Sequence, residues 1–280
     1  MEVKATDVKK LREKTGAGIL DCKKALTRAE GDFNQAEKIL KELGLAAATK
    51  RSGRSTNEGR IFSIIKNSKG GLLELSCETD FVARNSDFIT FGQNILEKIV
   101  DREIGTVTEE LKEQVNELAG KIKENINIRR FKILKTGENE FLTDYIHGEG
   151  RIGVLVKLEV GRSELLDNSA VKEFAFDCAL HIAAFNPKYL SKDRVEEEYL
   201  KEQEEIFTKQ VERMGKPEKV IPGIVKGKLN KHFSEICLLD QGFVKDEKQT
   251  VSQVLKSLEK EVGGSVNITD YLYYRVGEEL

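Results

Sequence analysis

The amino-acid sequence predicts an α+β protein: an N-terminal helical unit, then two α+β subdomains with antiparallel sheets, the second carrying an inserted helical hairpin. Three observations predict it. Apolar residues recur at helical spacing through the N-terminal region and in short alternating runs further on. The string Gly59-Arg60-Ile61 returns as Gly150-Arg151-Ile152, each time opening an apolar run. A glutamate-rich segment over residues 191–233 keeps a helical period with little apolar surface.

The helical unit covers residues 1–52. Val3, Val8 and Leu11 mark its first helix, with Thr6 or Asp7 as the cap. Thr15-Gly16-Ala17-Gly18 ends that helix, because closely spaced glycines permit a sharp turn. A second helix follows with Ile19, Leu20, Cys22 and Leu26 facing inward, and Phe33, Ala36, Ile39, Leu40 and Leu43 give a third its i, i+3, i+7 spacing. So small a unit suits docking better than reaction. The polar stretch from Thr49 to Asn57 reads as a linker, and the division into domains sets it at residues 53–58.

Beyond it the period changes. Ile61–Ile65 and Leu72–Cys77 predict strands joined by a turn at Lys69-Gly70-Gly71. Leu73, Leu75 and Cys77 alternate with Glu74 and Ser76, as on a half-buried strand. Helices over 86–101 and 108–124 and a strand over 124–131 complete a first subdomain, residues 59–142. The glycine-arginine-isoleucine restart suggests a related second subdomain, residues 143–280, packed beside the first, although so short a string can also recur by chance. Within it, Val195, Tyr199, Ile206 and Met214 lie along a polar helix that Gly215-Lys216-Pro217 stops. A return helix carries Ile224, Val225, Leu229 and His232, which makes an antiparallel, coiled-coil-like hairpin. Pro222 either starts that helix or kinks it. Strands over 236–244 and 270–276 bracket a helix over 250–262.

Composition narrows the function. The chain has 46 basic and 48 acidic residues, a net charge of −2, which argues against a dedicated duplex binder. Split by unit, residues 1–52 carry +4 and the remainder −6. There is no GxxxxGK[ST] loop, no GxGxxG, no HExxH and no Cys/His cluster at zinc spacing. No nucleotide, metal or cofactor site of its own is expected. Cys22, Cys77, Cys178 and Cys237 lie far apart, so free thiols in a reducing cytoplasm are expected. No apolar run approaches the roughly 20 residues of a membrane span, and the N-terminus lacks a signal-peptide core. The expectation is a cytoplasmic protein that is not an enzyme; an enzyme reading would need Cys77 with a base nearby.

The segment Glu78-Thr79-Asp80-Phe81-Val82-Ala83-Arg84 carries the functional signal. Two readings stand side by side. Phe81 packs in the core while Asp80 or Asn85 caps the next helix, or an acid and an aromatic are presented together as a wedge for an apolar slot in a partner.

The segment from Leu11 to Leu26, the string Leu75-Ser76-Cys77-Glu78-Thr79-Asp80-Phe81-Val82-Ala83, and the strings Glu124–Arg130, His147-Gly148 with Arg151–Val156, and His181-Ile182-Ala183-Ala184 closely resemble the bacterial elongation factor Ts family. The resemblance covers essentially the whole chain in order. It implies a ubiquitin-associated-like fold for residues 1–52 and a partner, elongation factor Tu, whose GDP is released without covalent chemistry. It further implies that Asp80 and Phe81, flanked by Thr79 and Val82, intrude into the partner's nucleotide-binding domain. Leu11, Ile19, Leu20 and Lys23 would dock on the same domain, Ile122 and His147 would make core contacts, and Val244 would face another domain of the partner. Two departures stand out. Lys123 occupies a position where glycine is common, and the C-terminal helix of some members is expected to be absent. The rival class is an RNA- or ribosome-associated adaptor using Lys50, Arg51, Arg54 and Arg60, with no aromatic interleaved for stacking.

Overall fold

The computed structural model describes residues 3–215 and 217–279. Helices α1 (Ala5–Thr15), α2 (Ile19–Arg28) and α3 (Phe33–Arg51) form the N-terminal unit. Val8, Leu11, Cys22, Ala25, Leu26 and Ala36 are its buried centre. Neither Thr6 nor Asp7 caps α1: the cap position is Lys4, without a side-chain hydrogen bond. Ile19 and Leu20 correct the expected inward set, being 56% and 71% exposed. They occupy the first turn of α2, where neither of the other two helices covers them. The third helix also runs to Arg51, through the first residues assigned to the linker.

Strands β1 (Glu58–Lys66), β2 (Lys69–Cys77) and β3 (Ile126–Lys135) form an antiparallel sheet in that order. The turn between the first two falls at Asn67 and Ser68, with Asn67 at φ 55°, and not at the glycines. Gly70 and Gly71 lie inside β2, the central strand, where close packing excludes a side chain on either face. A Cβ at Gly71 would stand 2.7 Å from Val100 Cγ2, and one at Gly70 would stand 2.8 Å from Leu142 Cδ1. The strand is accordingly buried on both faces, Glu74 and Ser76 included, and not half-buried.

Helices α4 (Asp80–Ala83), α5 (Ser86–Asp101) and α6 (Glu109–Ile122) belong to this first half; buried Phe88, Ile95, Leu96, Ile99, Leu111 and Val115 of α5 and α6 pack with Leu73, Leu75 and Cys77 of β2. Asn85 is the residue that caps α5, accepting from the N–H groups of Asp87 and Phe88.

A second antiparallel sheet has the order β4 (Glu140–His147), β5 (Ile152–Val160), β8 (Val266–Arg275). Its helices are α7 (Ser169–Phe185) and α10 (Val251–Val262), whose buried residues pack with Val154, Val156, Leu158 and Val160 of β5. Between them, α8 (Glu197–Glu212) and α9 (Ile221–Ile236) lie antiparallel, joined by hydrogen bonds from Tyr199 to His232 at 2.9 Å and from Lys228 to Gln210 at 3.2 Å. Pro222 sits in the first turn of α9 and so begins the helix. Of the expected stop signal, Lys216 lies outside the described residues. The expected strand over 236–244 is corrected. Ile236 ends α9, Leu238–Asp240 is a 3-10 turn, and only Gly242–Phe243 (β6) pairs, with β7 (Asp246–Thr250).

The two sheets stack face to face, with helices outside, instead of lying side by side. Ile61, Leu72, Leu134, Leu155, Leu272 and Tyr274 fill the space between them. The internal correspondence is real but displaced by one strand from the sequence match. Each sheet is a hairpin whose second strand is central, then helices, then the closing strand. The ladder shifts register between Glu74 and Leu75 in β2 and between Lys157 and Leu158 in β5, the same place in two nine-residue strands. The shared string Gly59-Arg60-Ile61 instead aligns edge strand β1 with central strand β5.

Helix α3 crosses α6 where Gly44 meets Gly120: a Cβ on Gly120 would stand 3.1 Å from the Gly44 Cα. The ion pair Lys41–Glu117, at 2.5 Å, flanks the crossing. Gly120→Leu is expected to force the helices apart, with a cost of about 1–3 kcal/mol in urea unfolding. Faster trypsin cleavage after Arg51 or Arg54 would report the loosened N-terminal unit.

Candidate functional site

The conspicuous surface feature is Phe81, 82% exposed on the four-residue helix α4. Large aromatics are usually covered, and the backbone on either side of this one is anchored by hydrogen bonds. Thr79 caps α4, its hydroxyl accepting from Val82 N–H at 3.4 Å and donating to Glu124 Oε1 at 2.7 Å. Glu124 Oε2 accepts from the backbone N–H groups of Glu78 and Thr79 at 3.1 and 3.0 Å. In return Glu78 Oε1 accepts from Asn125 N–H at 2.7 Å. Two carboxylates from segments far apart in sequence thus each hold the other's backbone. Val82 is half-buried against the helices below, while Asp80 lies outside the network and meets Arg84 at 3.7 Å.

Charge keeps this lock closed. The Asn125 N–H, with Arg54 behind it, holds the Glu78 carboxyl below the usual carboxylate range. Burial, reinforced by the charges of Glu124 and Glu58, pushes the Cys77 thiol up to about 12, so it stays protonated and donates to Thr79 O at 3.2 Å. A protonated, buried thiol is no nucleophile. Among the described residues no group of three or more His, Cys, Asp or Glu side chains could hold a metal, and no helix is long and apolar enough to cross a membrane. Arg54, one of the cations of the RNA reading, is paired with Glu78 at 3.2 Å.

The same knuckle reaches the N-terminal unit. Lys123 adopts φ 70°, ψ 23° as the left-handed cap of α6, the conformation that favours glycine and costs a side chain about 1 kcal/mol. Its ammonium lies 3.4 Å from Asp21 Oδ2 on α2, beside exposed Ile19 and Leu20. Asn125, next but one, is buried, and its amide donates to the carbonyls of Ser52 and Arg54. Lys23 is exposed on α2, and with Ile19 it borders a hollow of about 470 Å³ lined by Val3, Ala5, Val8, Lys9 and Arg12. Leu11 needs correction as a contact residue. It is fully buried in the N-terminal core and supports that surface from beneath.

A model of the family described as Elongation factor TS matches residues 78–278. The chain belongs to the elongation factor Ts family. It is 47% identical over 277 residues to elongation factor Ts of Treponema denticola, covering 99% of each chain. To the elongation factor Ts of Borreliella burgdorferi it is 49% identical over 272 residues, 97% of this chain and 98% of that one. Membership places it among translation elongation factors. Within an elongation factor Ts chain, the remaining expected contact residues are spread over both halves of the structure. Ile122 ends α6, half-buried on the first core; His147 is exposed at the end of β4; Val244 is half-buried beside β6.

Val244 is positioned by His181, a residue that the sequence marked only as part of a string. The Val244 N–H donates to His181 Nδ1 at 3.1 Å, so Nε2 carries the proton given to Gln241 Oε1 at 2.9 Å. Burial lowers the His181 pKa below its usual value, and the ring stays neutral. The unfolded chain takes up a proton near pH 6.5 where the folded chain does not. Stability from this site is therefore complete above about pH 6.5 and declines as pH falls below it. Thermal unfolding at pH 7.5 and 5.5 should show a smaller drop for His181→Gln than for the wild type.

Glu124→Gln replaces an acceptor of the lock by a donor. The expected loss is about 1–3 kcal/mol in urea unfolding, with faster amide hydrogen exchange at Glu78 and Thr79.

Proposed function

We propose that this chain is the guanine nucleotide exchange factor of elongation factor Tu, working in the cytoplasm with no catalytic residue, metal or cofactor of its own. Residues 1–52 are the docking unit for the partner's nucleotide-binding domain, 53–58 the linker, 59–142 the subdomain that carries the wedge, and 143–280 the subdomain that meets a further domain. The observation that carries the reading is Phe81, 82% exposed and yet fixed by the Glu124 and Thr79 hydrogen bonds at its base. An exposed ring adds little to the chain's own stability. A rigidly presented one loses little conformational freedom on entering a partner.

The mechanism follows from what a GTPase needs. Its nucleotide is held by phosphate-loop amides, a lysine and a Mg²⁺ ion that demands near-octahedral geometry. Phe81, entering between helices of that domain, stabilises a partner conformation with these ligands displaced, and GDP leaves faster. Coupling is reciprocal, so GTP binding later weakens the factor and releases it. Asp80, free of the anchoring network, supplies a carboxylate to a donor on the partner. Ile19, Leu20 and Lys23 form the second contact on the same domain, with Thr79 and Val82 supporting the wedge and Ile122, His147 and Val244 extending the interface.

Phe81→Ala should slow stimulated release of labelled GDP from elongation factor Tu severalfold or more in stopped flow, with the urea midpoint unchanged. Release as fast as with the wild type would sink the wedge. Lys23→Ala should weaken binding instead, more so at low salt.

A further inference from the structure

Strand β8, an edge of the second sheet, borders the segment that leaves α7 and enters the helical hairpin. Between them lies an open hollow of about 880 Å³, within the range of small-molecule sites. Its strand wall carries Tyr271 and Tyr273, which are two residues apart and so share a face of β8 at a spacing of about 7 Å. The opposite wall carries Lys188, just after α7, and Arg194, in the 3-10 turn Lys192–Arg194 that precedes α8. The Tyr271 hydroxyl donates to Pro187 O at 2.7 Å and ties the two walls together.

Most charges on these walls are already paired. Asp270 Oδ1 accepts from the Tyr271 N–H at 2.8 Å, Glu278 Oε2 meets Arg130 at 3.0 Å, and Lys157 meets Glu140 at 3.1 Å. Glu196, an acid within the field of Lys188, accepts from the Tyr189 hydroxyl at 2.7 Å. Three groups remain. The Lys188 ammonium lies over the Tyr189 and Tyr199 rings, 5.3 and 4.8 Å from their centroids, and makes no ion pair among the described residues. The Arg194 guanidinium makes no ion pair or hydrogen bond among them, and Asp193 beside it is engaged first by the Ser191 hydroxyl. Nor does the half-buried Tyr273 hydroxyl find a partner among them.

A ligand that satisfies this hollow brings an anion for two cations and a flat ring for the tyrosine wall. Phosphate oxygens make strong, charge-assisted bonds to Lys and Arg. Nucleobases stack on aromatic side chains and carry polar edges that a hydroxyl can meet. An apolar ligand would cover the cations without pairing them, which costs binding energy. We propose that the hollow binds a nucleoside phosphate, its phosphate held by Lys188 and Arg194 and its base laid against Tyr271 and Tyr273. Bound there, the ligand joins the entry turn of the hairpin to the closing strand of the second sheet. No sequence motif announces the site, because its walls meet across a wide gap in the chain, Pro187 and Tyr271 standing 84 residues apart.

Calorimetric titration of the full-length chain alone tests it, with GDP and ADP as probes and inorganic phosphate and adenosine as their halves. The expected result is a Kd below about 1 mM for at least one nucleotide, with phosphate and adenosine each about tenfold weaker or more. Arg194→Glu should raise the nucleotide Kd about tenfold or more, with the melting temperature unchanged because the side chain is exposed. Absent nucleotide binding, or binding unchanged by Arg194→Glu, would overturn the site. Inorganic phosphate bound as tightly as the nucleotides would overturn it too, since the tyrosine wall would then contribute nothing. A single-stranded RNA held more than about tenfold tighter than either nucleotide would replace the small-molecule assignment by an RNA groove. Elongation factor Tu is absent from the titration, so none of these outcomes bears on the exchange-factor reading.

Discussion

Three consecutive residues after α6 tie the molecule's separate surfaces into one. Lys123 reaches Asp21 on α2, Glu124 locks the backbone beneath Phe81, and Asn125 holds the linker carbonyls of Ser52 and Arg54. Each bond is ordinary by itself; the exposed Lys123–Asp21 pair contributes little. Their common origin in one tight turn is what matters. Because α6 ends in a left-handed residue, the chain reverses there and delivers three side chains in three directions within a few ångströms. The proposed wedge and the proposed docking surface therefore meet at one turn of the chain.

The stacked sheets supply the rigid base. Glu74 is wholly buried, so its desolvation demands full pairing. It receives Arg130 Nε at 2.7 Å and the Gly277 N–H at 2.9 Å, and Arg130 also covers the Tyr274 ring at 4.2 Å. A charge on the central strand of the first sheet thereby fixes the last residues after the closing strand of the second. The two halves are held in register by electrostatics as well as by the apolar layer between them.

Much of the fold was legible because it is written in local periods. The helices over 86–101 and in the N-terminal unit, the β1–β2 hairpin and the antiparallel helical pair all follow from spacing and stop signals. Errors cluster where one residue type serves two purposes. Gly70 and Gly71 read as a turn, yet they are glycine because two layers press on β2. Ile19 and Leu20 read as core, because periodicity gives the phase of a helix and not the extent of what covers it. The run from Ile236 to Leu239 is apolar enough for a strand, but helix end and 3-10 turn bury it equally well. Strand β4 went unread because an edge strand, half-buried from Glu140 to Ile146, shows no clean alternation.

By itself the sequence determined the family, the α+β class and the string that carries Phe81, since these rest on residue identity and local pattern. Only the tertiary structure decided that Phe81 stands outside the core, that Glu124 and Glu78 hold it there, and that Leu11 is interior. Hydrogen bonds between segments some 45 residues apart leave no periodic trace. Exposure is likewise a property of what else folds over a side chain, which no local pattern records.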